Sequence, residues 1–129
     1  MSIVGIGLDL IELERFAQLY APDDIDVLSR CFTTLELAKV GTGLDASAKK
    51  AARFAAKEAV LKVLGGLEDG IALTDIEIGS HSNGAPTVTL SGGAATKATK
   101  LKITSWHVSL THTDTSAAAV TIGLSIGPV

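Results

Sequence analysis

Between Arg53 and Lys62 the chain reads Arg-Phe-Ala-Ala-Lys-Glu-Ala-Val-Leu-Lys, which places one carboxylate among three cations within ten residues. Two readings of the group are open. Glu58 and Lys62 form an ordinary i,i+4 surface pair worth about 0.3–0.5 kcal/mol, or Glu58 is an oxygen ligand and the cations hold an anion. The second reading needs further chemistry, and two other segments offer it: Gly5-Ile-Gly-Leu-Asp9 near the start, and Trp106-His-Val-Ser-Leu-Thr-His-Thr113 near the end. Asp9 would either cap a helix or bind a metal ion. Ser109, His112 and Thr113 carry groups that hydrogen-bond phosphate. The sequence argues against a hydrolase triad from Ser109, His112 and Asp114, because the three lie within six residues and no nucleophile elbow surrounds the serine. His107 reads as a hydrogen-bonded sheet histidine.

These residues need a scaffold, and the segment from Ala51 to Gly66 is its centre. Alanine and leucine favour helix and the Gly65-Gly66 pair suits a left-handed cap, so the spacing predicts a helix to about Leu64. Ala52, Ala56, Ala59 and Val63 share an apolar seam. Phe54, Glu58 and Lys62 then follow one another on a different face, with Arg53 and Lys57 one position round. Ahead of this helix, residues 2–8 predict a buried strand ending in Asp9, and Leu10 to Tyr20 an amphipathic helix that Asp9 could cap. The two early glycines make no dinucleotide fingerprint, since no third glycine follows. Residues 21–44 read as short helices, with Pro22 as a boundary, Asp23, Asp24 and Asp26 in an acidic first turn, and Thr33 or Thr34 as a further cap. Gly41 and Gly43 release the chain before the central helix, and residues 65–70 form a loop able to move. Ile71–Gly79 and Thr87–Leu90 predict a hairpin closed by a type I′ turn at Asn83-Gly84. Residues 91–102 have helical composition. Thr104–Leu110 and Ala118–Leu124 predict a second hairpin, whose connection carries Thr111, His112, Thr113 and Asp114. The whole, residues 1–129, reads as one α+β domain, a mostly antiparallel sheet with the long helix packed on it.

Composition narrows the function classes. Net charge is −3, yet five of the eleven basic residues (Lys49, Lys50, Arg53, Lys57, Lys62) lie within fourteen positions. A local basic patch on an acidic chain points to a small polyanion or an acidic protein partner. An aromatic content of 4% with no reader motif argues against nucleic acid. One cysteine, Cys31, excludes an internal disulfide and reads as a small buried apolar residue. No apolar run is long enough to span a membrane and no secretory pattern appears, so the expectation is a cytoplasmic protein.

Taken together, Gly5-Ile-Gly-Leu-Asp9-Leu-Ile-Glu12, Arg53-Phe-Ala-Ala-Lys57-Glu58-Ala-Val-Leu-Lys62, Asn83-Gly-Ala-Pro86 and Val108-Ser-Leu-Thr-His112-Thr-Asp-Thr-Ser-Ala-Ala-Ala resemble the holo-[acyl-carrier-protein] synthase family, small 4′-phosphopantetheinyl transferases. The resemblance covers nearly the whole chain. It implies transfer of phosphopantetheine from coenzyme A to a serine of apo acyl carrier protein, in fatty acid or polyketide biosynthesis, with release of adenosine 3′,5′-bisphosphate. By the same resemblance Asp9 and Glu58 match magnesium-binding carboxylates. Arg53, Lys57 and Lys62 match cations that hold phosphate, and Lys62 and His112 count with the carboxylates as catalytic. Ser109, His112 and Thr113 match the segment beside the nucleotide, and Arg15 matches an arginine that docks the acidic carrier. A homotrimer with active sites between subunits is likewise implied. A non-catalytic coenzyme A binding module on the same fold is the competing class. Two positions depart from the pattern: Ala85 stands where lysine is usual, and Glu14 stands where a basic residue is common.

Overall fold

The computed structural model describes residues 1–20, 24–67 and 70–127. Pro22 and Asp23, read above as a boundary and an acidic first turn, and the middle of the 65–70 loop lie outside the described residues.

The chain opens with β1 (Ser2–Glu12), followed by three seven-residue helices, α1 (Leu13–Leu19), α2 (Ile25–Cys31) and α3 (Thr34–Val40). The nineteen-residue α4 (Ala46–Leu64) comes next, then a 3-10 turn (Leu73–Asp75), β2 (Ile76–Ser80), β3 (Pro86–Leu90), α5 (Gly92–Lys100), β4 (Ser105–His112) and β5 (Ser116–Ser125). Every strand pairing is antiparallel: one sheet has the order β1-β5-β4, and β2-β3 form a separate hairpin. The α+β architecture with a long helix on the sheet is therefore as read, although the sheet is in two parts.

Local signals explain most boundaries. Thr33 caps α3 in a full capping box, its hydroxyl accepting from the Glu36 N–H while the Glu36 carboxylate accepts from the Thr33 N–H. Gly65, in the left-handed region, ends α4 where the double glycine predicts. Four details differ. Asp9 is not a cap, because β1 continues three residues past it to Glu12, held by unbroken pairing with β5, and Asp9 sits opposite Ala119. The helix that follows is correspondingly short. The 71–79 strand shrinks to Ile76–Ser80, since the Asp75 carboxylate accepts from the N–H groups of Ala72 and Ala94 and folds the preceding residues into a 3-10 turn. At the hairpin only Gly84 has positive φ (+89°), whereas type I′ needs two such residues. The Gly84 N–H donates to His81 and the His81 N–H to Ala85, which is a three-residue loop with its left-handed residue last.

Helix α4 lies against β1 and β5 on alanines. Ala51, Ala52, Ala55, Ala56 and Ala59 are buried, and a Cβ at Gly7 would stand 1.9 Å from the Ala59 carbonyl oxygen. Only glycine permits that approach. One core fills the space between α4, α5 and the β2-β3 hairpin, around Val60, Leu61, Leu64, Ile76 and Ile78. A second gathers Phe16, Leu28, Cys31 and Phe32 at the start of α4, so Cys31 is the buried apolar residue expected. Among the described residues no helix is long and apolar enough to cross a membrane.

The β1-β5-β4 sheet has an uncovered side. Alternation puts Asp9 and Ile11 toward α4 and leaves Ile6, Leu8 and Leu10 outward at 62%, 63% and 66% exposure. Ile122, Val120 and Ala118 of β5 stand opposite them in register, with His107, Ser109 and Thr111 of β4 beyond. His107 is thus exposed on this open face, and its carbonyl, not its ring, accepts a hydrogen bond from Thr121.

Candidate active site

Strand β1 and helix α4 bring Asp9, Glu58 and Lys62 together. The Lys62 ammonium donates to the Leu8 carbonyl at 2.7 Å and to Asp9 Oδ1 at 3.3 Å. Glu58 and Lys62 also line a cleft of about 470 Å³ with Leu61, Gly65, Gly66 and Leu67. The Glu58 carboxyl is pushed above the usual range, first by partial burial and then by the charge of Asp9, with Lys62 opposing. A carboxyl whose ionisation is made costly by burial and by a neighbouring carboxylate is one that a bound cation would relieve. Among the described residues no cluster of three or more acidic, histidine or cysteine side chains occurs, and a metal held here would have Asp9 and Glu58 as its carboxylates. That donor set fits magnesium, which takes one or two carboxylates and completes its octahedron with water and substrate phosphate.

Lys57 is not in this cleft, which corrects its reading as a phosphate-binding cation. It is fully buried on the opposite side of α4, paired with Glu36 at 2.6 Å, and donates to the carbonyls of Leu73 and Ile76. Desolvation pushes its ammonium pKa down and the Glu36 carboxylate opposes this. Lys57 is the residue next to Glu58, but one helical step is about 100° and turns it into the core. Arg53 also lies outside the cleft. It is half-buried, donates to the Lys49 carbonyl at 3.4 Å, and keeps its Nε buried without a partner.

The other expected groups are dispersed within one chain. Ser109 is on the open face of the sheet, beside Leu8 and Thr111. His112 is the exposed last residue of β4, opposite Ala117. The Thr113 hydroxyl accepts from the N–H groups of Thr115 and Ser116 and so organises the β4–β5 connection. Ala85 lines a separate cavity of about 420 Å³ with His81, Pro86, Trp106 and His107.

Arg15 is exposed at the rim of an apolar groove of about 280 Å³ formed by Leu10, Phe16, Leu19, Tyr20 and Phe54. Phe16, Tyr20 and Phe54 stack on one another with centroids 5.0–5.6 Å apart. Burial raises the Tyr20 phenol, and the charges of Cys31 and Glu58 add to it. Sequence alone singles out neither Tyr20 nor Glu36. For Glu36 the signal is present as Thr33-x-x-Glu36, a capping box that says nothing about its second partner.

The profile of the 4′-phosphopantetheinyl transferase superfamily matches residues 5–121. A holo-[acyl-carrier-protein] synthase of Streptomyces coelicolor is 40% identical over 122 residues, 95% of this chain and 98% of that one. Among solved structures, holo-ACP synthase from Plasmodium yoelii superimposes with a TM-score of 0.84 at 26% identity, covering 98% of each chain. The Helicobacter pylori synthase in complex with coenzyme A superimposes with a TM-score of 0.80 at 28% identity, covering 93% of this chain and all of that one.

Proposed function

We propose that this chain, which belongs to the 4′-phosphopantetheinyl transferase superfamily, is a holo-[acyl-carrier-protein] synthase that moves phosphopantetheine from coenzyme A to a serine of an apo carrier protein. The observation that carries this is that Lys62 joins Asp9, to which it donates, to the cleft it lines with Glu58, whose carboxyl feels the Asp9 charge. In the reaction a bond forms between the carrier's serine oxygen and the phosphorus bearing pantetheine. The pyrophosphate P–O bond breaks, and adenosine 3′,5′-bisphosphate leaves with the electron pair. A magnesium ion on Asp9 and Glu58 would supply charge neutralisation at the pyrophosphate. Lys62 is exposed enough to turn from Asp9 toward a phosphate oxygen, and its ion pair is weak for the same reason. His112, on the exposed end of β4, stands as a phosphate contact or as the acceptor of the serine proton.

The open sheet face supports a homotrimer with shared sites. Ser109 and Asp9 point to opposite sides of one sheet, so both can serve one bound coenzyme A only if Ser109 comes from a neighbouring copy. A contiguous apolar strip of Ile6, Leu8 and Leu10 is the kind of surface that another copy covers. Arg15, exposed at the rim of the aromatic groove, would receive an acidic carrier.

Incubation with magnesium, coenzyme A and apo carrier tests the reading by mass spectrometry. The carrier should gain the mass of one phosphopantetheine group. Binding of coenzyme A with no mass gain on any carrier of a panel would identify a non-catalytic binding module instead. Kinetics then separate the roles. Arg15→Glu should raise the apparent KM for carrier and spare that for coenzyme A, and the wild-type preference for acidic carriers should fade as salt shortens the Debye length below about 8 Å. Lys62→Ala should lower kcat even at saturating carrier. Equal impairment of both substrates by both variants would reject the division of roles.

A further inference from the structure

We infer that the buried Lys57–Glu36 pair is the positioning device that aims Glu58, so that both are required for metal affinity and turnover without touching substrate. This rests on the transferase reading. Helix α4 approaches the sheet closely through its alanines, and its larger apolar side chains Val60, Leu61, Val63 and Leu64 make non-directional packing contacts. Of the α4 side chains that are essentially fully buried, Lys57 is the largest. It reaches three other elements at once: the Leu73 carbonyl in the 3-10 turn at 3.0 Å, the Ile76 carbonyl in β2, and Glu36 Oε1 in α3 at 2.6 Å. Glu36 is itself fixed at both oxygens, accepting from the Thr33 N–H at Oε1 and the Ile78 N–H at Oε2, each at 2.8 Å. The Phe32 ring lies 5.6 Å from the ammonium and closes the site.

The next residue is Glu58. Side-chain groups lie roughly 5–6 Å from a helix axis, so a roll of about 10° displaces a carboxylate by about 1 Å. A displacement of that size can cost about a hundredfold in rate. A pair of hydrophobic side chains would fill the same volume with equal or better stability. What hydrophobic packing lacks is the directional bonding that pins Lys57 to three elements, and that pinning sets the roll on which the aim of Glu58 depends.

The test replaces the pair without leaving an isolated buried charge, as Glu36→Gln/Lys57→Met. Manganese affinity, read by water-proton relaxation, should fall about tenfold, the range seen when groups that orient a metal ligand are lost. In the same variant kcat should fall at least about tenfold while KM for coenzyme A stays within about twofold. A folded double variant with wild-type manganese affinity and kcat would overturn the inference, leaving the pair a purely structural one. A raised KM for coenzyme A with kcat intact would overturn it in favour of a direct phosphate contact. Should the double variant fail to fold, Glu36→Gln/Lys57→Gln, which keeps hydrogen-bonding groups at both positions and leaves no buried charge, is read the same way, with a drop of about threefold expected in manganese affinity and an unchanged affinity overturning the inference. Wild-type protein that neither binds manganese nor modifies any carrier would instead sink the transferase reading itself.

Discussion

Glu58→Gln should fold like the wild type and lose at least about a hundredfold in turnover, more than is lost when only the partners of a metal ligand are removed. The substitution keeps length and helix propensity on α4 and removes the negative charge that, with Asp9, would hold the cation. Glu58 lies half-buried at the edge of the cleft and its carboxyl supports no packing, so the loss would be chemical. Stability provides the control. The folded-state pKa of Glu58 is raised by burial and by Asp9, so its contribution to stability is present at low pH and is lost as pH rises through that value. At neutral pH the wild type therefore carries a cost of ionisation that glutamine does not, and the metal-free variant should melt at the same temperature or slightly higher. Magnesium should raise the melting temperature of the wild type and leave that of the variant unmoved. Wild-type turnover by the Glu58→Gln variant at limiting magnesium would return Glu58 to an ordinary i,i+4 partner of Lys62.

Ile6→Glu should convert the proposed assembly to monomers and abolish transfer, although Ile6 faces the side of β1 away from the carboxylates. Its side chain is 62% exposed in the single chain, so a carboxylate there is solvated and costs the isolated fold little. On the open face it stands in register with Ile122 and His107, in the middle of the surface that another copy would cover. Three charges converging in an apolar interface have no partners and would each face a desolvation penalty of several kcal/mol. Light scattering should then report 13.2 kDa in place of three times that mass, with circular dichroism unchanged. Activity should fall with the mass, because in the proposed trimer Ser109 on one face and Asp9 on the other would meet across copies. A fully active monomer would show that one chain builds the whole site, and Ser109 would then have no part in it.

Periodicity and local chemistry carry the elements of this fold. The alanine-rich run with its glycine cap, the β-branched runs near the end of the chain and the Thr33-x-x-Glu36 box are all signals over distances of a few residues, and each produces the element it predicts. Asp9, Glu58 and Lys62 are singled out before any fold is known, though the residues alone leave each with two readings and only the family resemblance chooses between them. Their meeting is a tertiary fact: a strand whose Gly7 lets α4 approach to carbonyl contact sets Asp9 beside Lys62, 53 positions later in the chain.

What the sequence leaves open is which way each cation points. Arg53, Lys57 and Lys62 have the same chemistry and a spacing of four or five residues, so they read as one basic face. A helix turns about 100° per residue, however, and only the packed surroundings decide which direction is core. Glu36 decides it for Lys57: a carboxylate 21 residues away, itself anchored to β2, offsets the desolvation of that ammonium and withdraws it from the phosphates. The same holds for Asp9, where cap and strand are equally compatible with the local residues until pairing with β5, over a hundred positions away, extends β1 past it. Short-range order is written in the sequence because its interactions are short-range. The aim of each charged side chain is decided by partners that only the folded chain brings near.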